Sequence, residues 1–232
     1  MVSISTLWPI TERNFRMLLT LPRSMPRTQD VTAEEYGRPL TGDACLAEHA
    51  ARDWPTTTGM RAVTIDCPPS VTWKWLSQMM RGGGMYGWPT LETPECCSSS
   101  VLVKNIPAPR EGDRLSPLLE IRSVTPGREL VWYNMQELDL GGIGVTRLVL
   151  NYRIDPADDN RTRLICRQFC ILRETTRRLL QYASRTIDFL LPAHQLMTLQ
   201  RLAEHGPKQR CKPTSAPHQA VALTPVQVSR AS

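Results

Sequence analysis

Few residues in this chain of 232 amino acids have the type and spacing that chemistry at a protein site requires. Gln168 alternates with Cys166 and Cys170 in an apparent strand, so the three side chains share one face. A buried amide on that face must find a hydrogen-bond partner or cost roughly 1–3 kcal/mol. The partner is either a backbone group, or a water molecule or ligand in a cavity. The sequence leaves these alternatives open.

An acid–base pair is the second candidate for chemistry. Asp188 and His194 lie in an apolar, helix-periodic segment near the C-terminus. Their spacing of six residues places them on different faces of a helix, so we do not expect them to share a proton.

Cofactor and metal sites are not expected. The seven cysteines include no CxxC pair and form no Cys/His cluster with zinc spacing. The glycines of residues 82–84 and 141–144 do not lie between the strand and helix of a βαβ unit, so they do not predict a nucleotide site.

The formal net charge is +6, and much of it lies at the two ends of the chain. The body carries one arginine-rich stretch, whose members are Arg161, Arg163, Arg167, Arg173, Arg177, Arg178 and Arg185. Alternation places Arg161, Arg163 and Arg167 on a solvent-facing side of a strand. We therefore expect a solvated face and no nucleic-acid partner.

The N-terminal part of the fold reads as one strand followed by one helix. Residues 60–66 alternate as a strand, and Pro68 and Pro69 then end the ladder and begin a helix over residues 71–80. Trp75 belongs to an apolar stripe of that helix.

The remaining elements are a meander of strands and a long last helix. Strands are predicted at residues 118–124, 130–135, 145–154 and 162–172, with weaker ones at residues 101–104 and at Arg114. A helix begins near residue 175, contains Pro192 and stops at Gly206. We expect a poorly ordered basic extension over residues 1–40, one domain over residues 41–205, and a disordered basic tail over residues 206–232.

Five sequence segments together resemble the SRPBCC proteins, which include START and polyketide-cyclase-like members. Their residues are 61–79 (RAVTIDCPPSVTWKWLSQM), 81–88 (RGGGMYGW), 124–131 (VTPGRELV), 159–165 (DNRTRLI) and 197–204 (MTLQRLAE). The resemblance implies an α+β helix-grip fold, in which a curved antiparallel sheet wraps around a long C-terminal helix. It also implies a cavity between sheet and helix, because members bind lipids, hormones or polyketides, and some cyclise or dehydrate polyketides.

If the sheet curls around the helix, the apolar side of each strand faces this cavity, with either Trp132 or Tyr133 contributed by one strand. The lining residues that we expect are Trp75, Met79, Tyr86, Trp88, Trp132, Leu150, Tyr152 and Gln168. Large rings with one polar atom suit an aromatic or polycyclic ligand. The alternative is that the same residues only fill the core. The segment that holds Tyr86 and Trp88 departs from the pattern of the resembled proteins, so ligand preference is expected to differ.

Three functions remain open at this point. The first is binding of a small hydrophobic molecule such as a lipid, a steroid or a polyketide-like compound. The second is an enzyme of the polyketide cyclase/dehydrase type, in which Gln168, Tyr152 or His194 assists proton transfer. The third is a basic interaction module that acts through Arg177, Arg178 and the tail. The short apolar runs and unpaired cysteines lead us to expect a soluble, cytoplasmic protein.

Overall fold

The computed structural model describes residues 28–47, 56–79, 100–116, 119–140, 143–172 and 178–206. The helices are α1 (Ala33–Gly37), α2 (Asp43–Ala47), α3 (Pro69–Met79) and α4 (Arg178–His205). The strands are β1 (Thr28–Gln29), β2 (Thr56–Ile65), β3 (Arg114–Ser116), β4 (Leu119–Thr125), β5 (Glu129–Asn134), β6 (Leu138–Leu140), β7 (Ile143–Pro156) and β8 (Thr162–Leu172).

The described strands form one sheet in the order β1-β2-β8-β7-β5-β4-β3, and β6 pairs with β7. All pairs are antiparallel except β1 with β2, which run parallel. From β3 to β8, consecutive strands are joined by short turns, which produces a meander. At one of them the N–H of Arg128 donates to the Thr125 carbonyl, and Gly127 has the positive φ of 75° that this turn requires.

Helix α4 packs on one face of this sheet, against β2, β7 and β8, and it also contacts α3. We call this the inner face, and the opposite side of the sheet the outer face. The apolar side chains of the inner face join those of both helices in one core cluster, which includes Ile65, Leu76, Leu164, Leu199 and Leu202. The helix-grip arrangement that the sequence resemblance implies is therefore confirmed by the topology of the chain itself.

The start of α3 and the end of α4 follow the proline and glycine signals of the sequence. Helix α3 begins at Pro69, directly after the strand β2 and a short turn. Helix α4 ends before Gly206, whose φ of 62° and N–H bond to the Leu202 carbonyl close the last turn. Among the described residues, no helix combines the length and the hydropathy needed to cross a membrane.

The outer face is covered by residues 28–47, which we call the N-terminal strap. Helix α1 of the strap begins with a capping box, because Thr32 accepts from the N–H of Glu35 and the Glu35 carboxylate accepts from the N–H of Thr32. Leu40 of the strap packs with Met60 on the outer face. The prediction of a poorly ordered extension is therefore wrong for residues 28–40, while residues 1–27 lie outside the described residues.

Two arginines predicted on a solvent-facing side are instead paired with the strap. Nε of Arg163 lies 2.7 Å from Oε1 of Glu35, and Nη1 of Arg167 lies 2.8 Å from Oδ2 of Asp43. Arg167 is only 7% exposed. The alternation correctly placed both arginines on the side of β8 that faces away from α4. That side is not exposed to solvent, because the strap covers it and supplies the carboxylates that pair with them. Arg161 remains exposed beside Asp158, as predicted.

A weak strand predicted at residues 101–104 is also wrong. This segment is irregular. Its backbone groups form hydrogen bonds with the side chain of Gln78 on α3 instead of with a neighbouring strand. The amide of Gln78 donates to the Val101 carbonyl at 3.0 Å and accepts from the N–H of Val103 at 2.7 Å. The second weak strand, at Arg114, is confirmed as β3.

Candidate functional site

The register of the sheet aligns the polar residues of the inner face in two neighbouring rows. In the first row, Cys166 pairs with Arg61 on one side and with Tyr152 on the other. In the second row, Gln168 pairs with Gly59 and with Leu150, and Leu150 pairs in turn with Trp132. Because directly opposed residues of antiparallel strands share a face, all these positions face α4.

The structure brings most of the predicted lining residues together. Trp75, Met79, Trp132, Leu150 and Tyr152 belong to the single core cluster of the inner face, and each is buried. Gln168 lies between Cys166 and Cys170 on the same strand face and is 3% exposed. Tyr86 and Trp88 lie outside the described residues, so their expected place in the lining stays a prediction.

Tyr133, the sequence alternative to Trp132, lies on the outer face. It packs against Val131, Val149 and Phe169, and the guanidinium carbon of Arg147 lies 5.0 Å from the centre of its ring. Trp132 is therefore the inner-face residue of β5.

Trp132 and Tyr152 stack on the inner face, with ring centroids 6.2 Å apart and an angle of 14° between the rings. Trp132 is 1% exposed, and its indole Nε1 has no hydrogen-bond partner among the described residues. A buried N–H without an acceptor costs about 1–3 kcal/mol, and native cores contain few such groups. The inner face thus presents one donor that the described protein atoms do not satisfy.

Gln195 on α4 faces the first row. Its Oε1 accepts a 2.6 Å hydrogen bond from the Tyr152 hydroxyl, and both residues are fully buried. Gln195 was not predicted from the sequence, although a signal was present. It occurs four residues before Leu199 and seven before Leu202, so a polar residue interrupts the apolar stripe of the helix.

Arg61 is the second residue that sequence reasoning missed. It lies on β2 and is 4% exposed, opposite Cys166. The signal was its phase, because Arg61 alternates with Val63 and Ile65, the apolar side of the predicted strand. An arginine in the apolar phase of a strand marks a charge directed to the interior.

The environment of the first row sets the protonation of its members. Burial lowers the pKa of Arg61 to about 10, which leaves the guanidinium charged at neutral pH. Burial raises the pKa of Cys166 to about 12 and raises the pKa of Tyr152 well above its ordinary value. The thiol and the phenol are therefore neutral hydrogen-bonding groups.

Of the predicted acid–base pair, the structure describes the side chain of His194 only. His194 is half-buried on α4, and its Nδ1 lies 3.5 Å from the Thr198 hydroxyl. The side chain of Asp188 lies outside the described residues, so the geometry of the pair stays untested.

A separate groove of about 460 Å³ lies on the other side of α3. It is lined by Trp73, Lys74, Ser77 and Gln78 of that helix and by residues 102–109. Of the predicted lining residues that the structure describes, none belongs to this groove. The hydrogen bonds of Gln78 to the backbone at Val101 and Val103 hold the loop that forms its far wall.

Comparisons with known proteins give structural neighbours only. No protein-family model matches the sequence, and no curated protein matches it. A protein of Mesorhizobium loti is 18% identical, with a TM-score of 0.39, over 62% of this chain and 95% of its own. Zhui aromatase/cyclase from Streptomyces sp. R1128 is 13% identical, with a TM-score of 0.40, over 65% of this chain and 98% of its own. Norcoclaurine synthase of Thalictrum flavum is 9% identical, with a TM-score of 0.40, over 65% of this chain and 95% of its own. Because every TM-score here is below 0.5, these likenesses carry no assignment of activity.

Proposed function

We propose that this protein binds a small hydrophobic molecule between the inner face of its sheet and the helix α4. The buried indole N–H of Trp132 carries this proposal, because it lies among apolar side chains and donates to no described protein atom. A ligand with an oxygen acceptor at this point recovers the hydrogen bond that the folded chain otherwise forgoes. The surrounding rings and aliphatic side chains supply the apolar contact area for the rest of the molecule.

The protonation of the inner face supports binding over proton transfer. A general acid or base at neutral pH needs a pKa near 7. Burial moves the pKa values of Cys166 and Tyr152 away from that range, and Arg61 stays charged. The cyclase/dehydrase alternative would therefore use these groups to orient a reactive chain and polarise its carbonyl oxygens, with proton transfer assigned to His194, to water or to the substrate itself.

The state of the cysteines supports a reducing, cytoplasmic location. Cys67 and Cys166 are buried thiols whose pKa values are raised by burial, so they act as small apolar groups. We propose the cytoplasm as the site of action on this basis.

Native mass spectrometry of freshly purified protein, compared with the same sample after denaturation, tests the proposal directly. We expect an added mass that denaturation releases. We also expect an increase in melting temperature with members of a lipid, steroid and polyketide-like panel, because a ligand that binds only the native state stabilises it. A bound compound recovered with loss of water after incubation would identify the cyclase/dehydrase alternative instead.

A pair of matched variants locates the ligand. Trp132→Phe removes the N–H together with part of the buried indole ring, so retained ligand should decrease, and the melting temperature of the unliganded protein should fall as well. Trp73→Phe makes the same change in the separate groove beside α3 and should leave binding unaltered. A single unmodified mass, with no melting shift across the panel, would refute the proposed function.

A further inference from the structure

The groove beside α3 has the size and the lining of a second ligand site. Its volume of about 460 Å³ lies within the range of roughly 300–1,000 Å³ that small-molecule pockets occupy. Apolar side chains form most of its wall, among them Trp73 on the helix and Leu102 and Ile106 on the facing loop. Trp73 and Leu102 also pack against the core cluster, so this wall is fixed to the body of the protein.

The charged side chains of the groove are all positive. Lys74 and Lys104 line it, both are exposed, and its described lining includes no aspartate or glutamate. Neither lysine pairs with a carboxylate in the described part of the chain. Lys74 precedes Gln78 by one helical turn, so the two side chains share one face of α3. The Gln78 side chain accepts from the N–H of Val103 at 2.7 Å, which brings the adjacent Lys104 to the same groove.

Ser77 contributes a buried hydroxyl to the wall of the groove. It is 8% exposed, and its Oγ has no hydrogen-bond partner among the described residues. A serine inside a helix often bonds to the carbonyl of the preceding turn, and Ser77 does not. Few buried polar side chains of native proteins lack a partner, so this hydroxyl indicates one from outside the described chain.

We infer that this groove binds a small amphipathic anion, a molecule with an aromatic body and one acidic group. The rings pack on Trp73 and on the apolar loop, and the acidic group lies near Lys74 and Lys104. The hydroxyl of Ser77 can donate or accept, so it satisfies one polar atom of the ligand. A cation would meet two like charges, and a neutral apolar molecule would leave both lysines and the hydroxyl without partners.

Two fluorescent probes that share one ring system test the role of the charge. Anilinonaphthalene sulfonate is an anion, whereas phenylnaphthylamine has the same rings and no charge. We would titrate the full chain with each probe. Lys74→Gln and Lys104→Gln should each weaken binding of the anion by roughly twofold to fivefold, as a partly exposed charge pair contributes. Their affinity for the neutral probe should equal that of the wild type.

Arg128→Gln is the control for the loss of one positive charge. Arg128 is exposed at the turn between β4 and β5 and does not line the groove. Its replacement lowers the net charge by the same amount as either lysine variant, and it should leave the affinity for the anionic probe unchanged. All three side chains are exposed, so the three variants are expected to fold.

Ser77→Ala distinguishes ligand binding from a structural role of the hydroxyl. Because this hydroxyl bonds to no described residue, alanine should keep or raise the melting temperature of the unliganded protein. The affinity for the anionic probe should fall by roughly twofold to tenfold, as loss of one hydrogen bond predicts. Ser70→Ala makes the same substitution at an exposed position of α3 outside the groove and should leave this affinity unchanged.

The inference is independent of the proposed function, because the groove lies outside the inner face. Absence of binding of the anionic probe, or an equal loss of its affinity in Lys74→Gln and Arg128→Gln, would overturn the inference and leave the proposed function standing. A lower melting temperature of Ser77→Ala with unchanged affinity would likewise overturn it, since the hydroxyl would then be structural. Probe that binds at the inner face instead would respond to Trp132→Phe and to none of the groove variants, which also overturns the inference.

Discussion

The hydroxyl of Tyr152 on β7 donates a 2.6 Å hydrogen bond to Oε1 of Gln195 on α4, and both residues are fully buried. This contact joins the sheet to the helix that it grips. It also lies beside the ring stack of Tyr152 and Trp132, so it fixes the orientation of the aromatic wall of the proposed site. The position of the helix and the shape of the ligand site are therefore linked through one phenol.

Replacing Tyr152 with phenylalanine should destabilise the protein by about 1–2 kcal/mol, because it deletes a buried hydrogen bond and keeps the ring. Urea denaturation of the unliganded protein measures this loss. The double variant Tyr152→Phe with Gln195→Leu should lose less than the sum of the single losses, since each single change removes the same contact. Strictly additive losses would show that the hydrogen bond contributes nothing to the stability of the fold.

The ion pair between Arg167 and Asp43 gives a second prediction. Asp43 accepts two hydrogen bonds from Nη1 of Arg167, at 2.8 and 3.0 Å, and one from the N–H of Leu40. Asp43→Ala leaves the buried guanidinium without this carboxylate, so the free energy of unfolding should fall by about 2–3 kcal/mol.

The exposed pair of Arg161 and Asp158 serves as the control for that change. Asp158→Asn removes the same kind of charge from an exposed pair, and it should leave the midpoint of urea denaturation unchanged. Equal effects of Asp43→Ala and Asp158→Asn would contradict a stabilising role of the strap.

The sequence predicted the elements of this fold well because their signals are local. The strand β8 spans the predicted residues 162–172, and the turn at Gly127 and the stop at Gly206 follow from glycine chemistry. The N-terminal strap was not predicted, because α1 and α2 have five residues each and carry no helical periodicity. The strap is held to the sheet by ion pairs such as that between Arg163 and Glu35, two residues that are 128 positions apart in the sequence.

The candidate site was predicted in part for a similar reason. Alternation identified Trp132, Leu150 and Tyr152, since an apolar ring or chain in the correct phase marks the inner face. Arg61 and Gln195 were missed because a polar residue in an apolar stripe is read locally as an interruption of the pattern. Only the register between β2 and β8, and the docking of α4, show that these two interruptions face the same interior.

Glu35 should make the stability of the strap dependent on pH. The hydrogen bond from Arg163 is the largest cause that holds the pKa of Glu35 below its ordinary value of 4.5. A carboxyl with a lowered pKa in the folded state stabilises the protein above its unfolded pKa, and this contribution is lost as the pH falls through the folded pKa. Glu35→Gln should thus be less stable than the wild type at pH 7. The difference between their unfolding free energies should shrink as the pH drops below about 4.5. A difference that stays constant from pH 7 to pH 3 would show that charge is not its cause.

The strap lies in close contact with the sheet at Gly42. Its N–H donates a 2.6 Å hydrogen bond to Oδ1 of Asn151, and a Cβ added at Gly42 would lie 2.8 Å from that same oxygen. Asn151 is fully buried and donates to Oε1 of Glu129, so it has little freedom to move. Gly42→Ala must then displace the strap or break this hydrogen bond, and we expect a loss of about 1–3 kcal/mol in urea denaturation.

Gly37 offers the matched control for this substitution. It lies in α1 of the same strap, and an added Cβ would meet no atom within 4 Å. Gly37→Ala should be neutral or should stabilise the protein slightly, because alanine has the higher helix propensity and lowers the entropy of the unfolded chain. The two alanine variants change the unfolded chain alike, so a difference between them isolates the contact of Gly42 with Asn151. If both variants unfolded at the same urea concentration, the strap would not lie against Asn151 as closely as described.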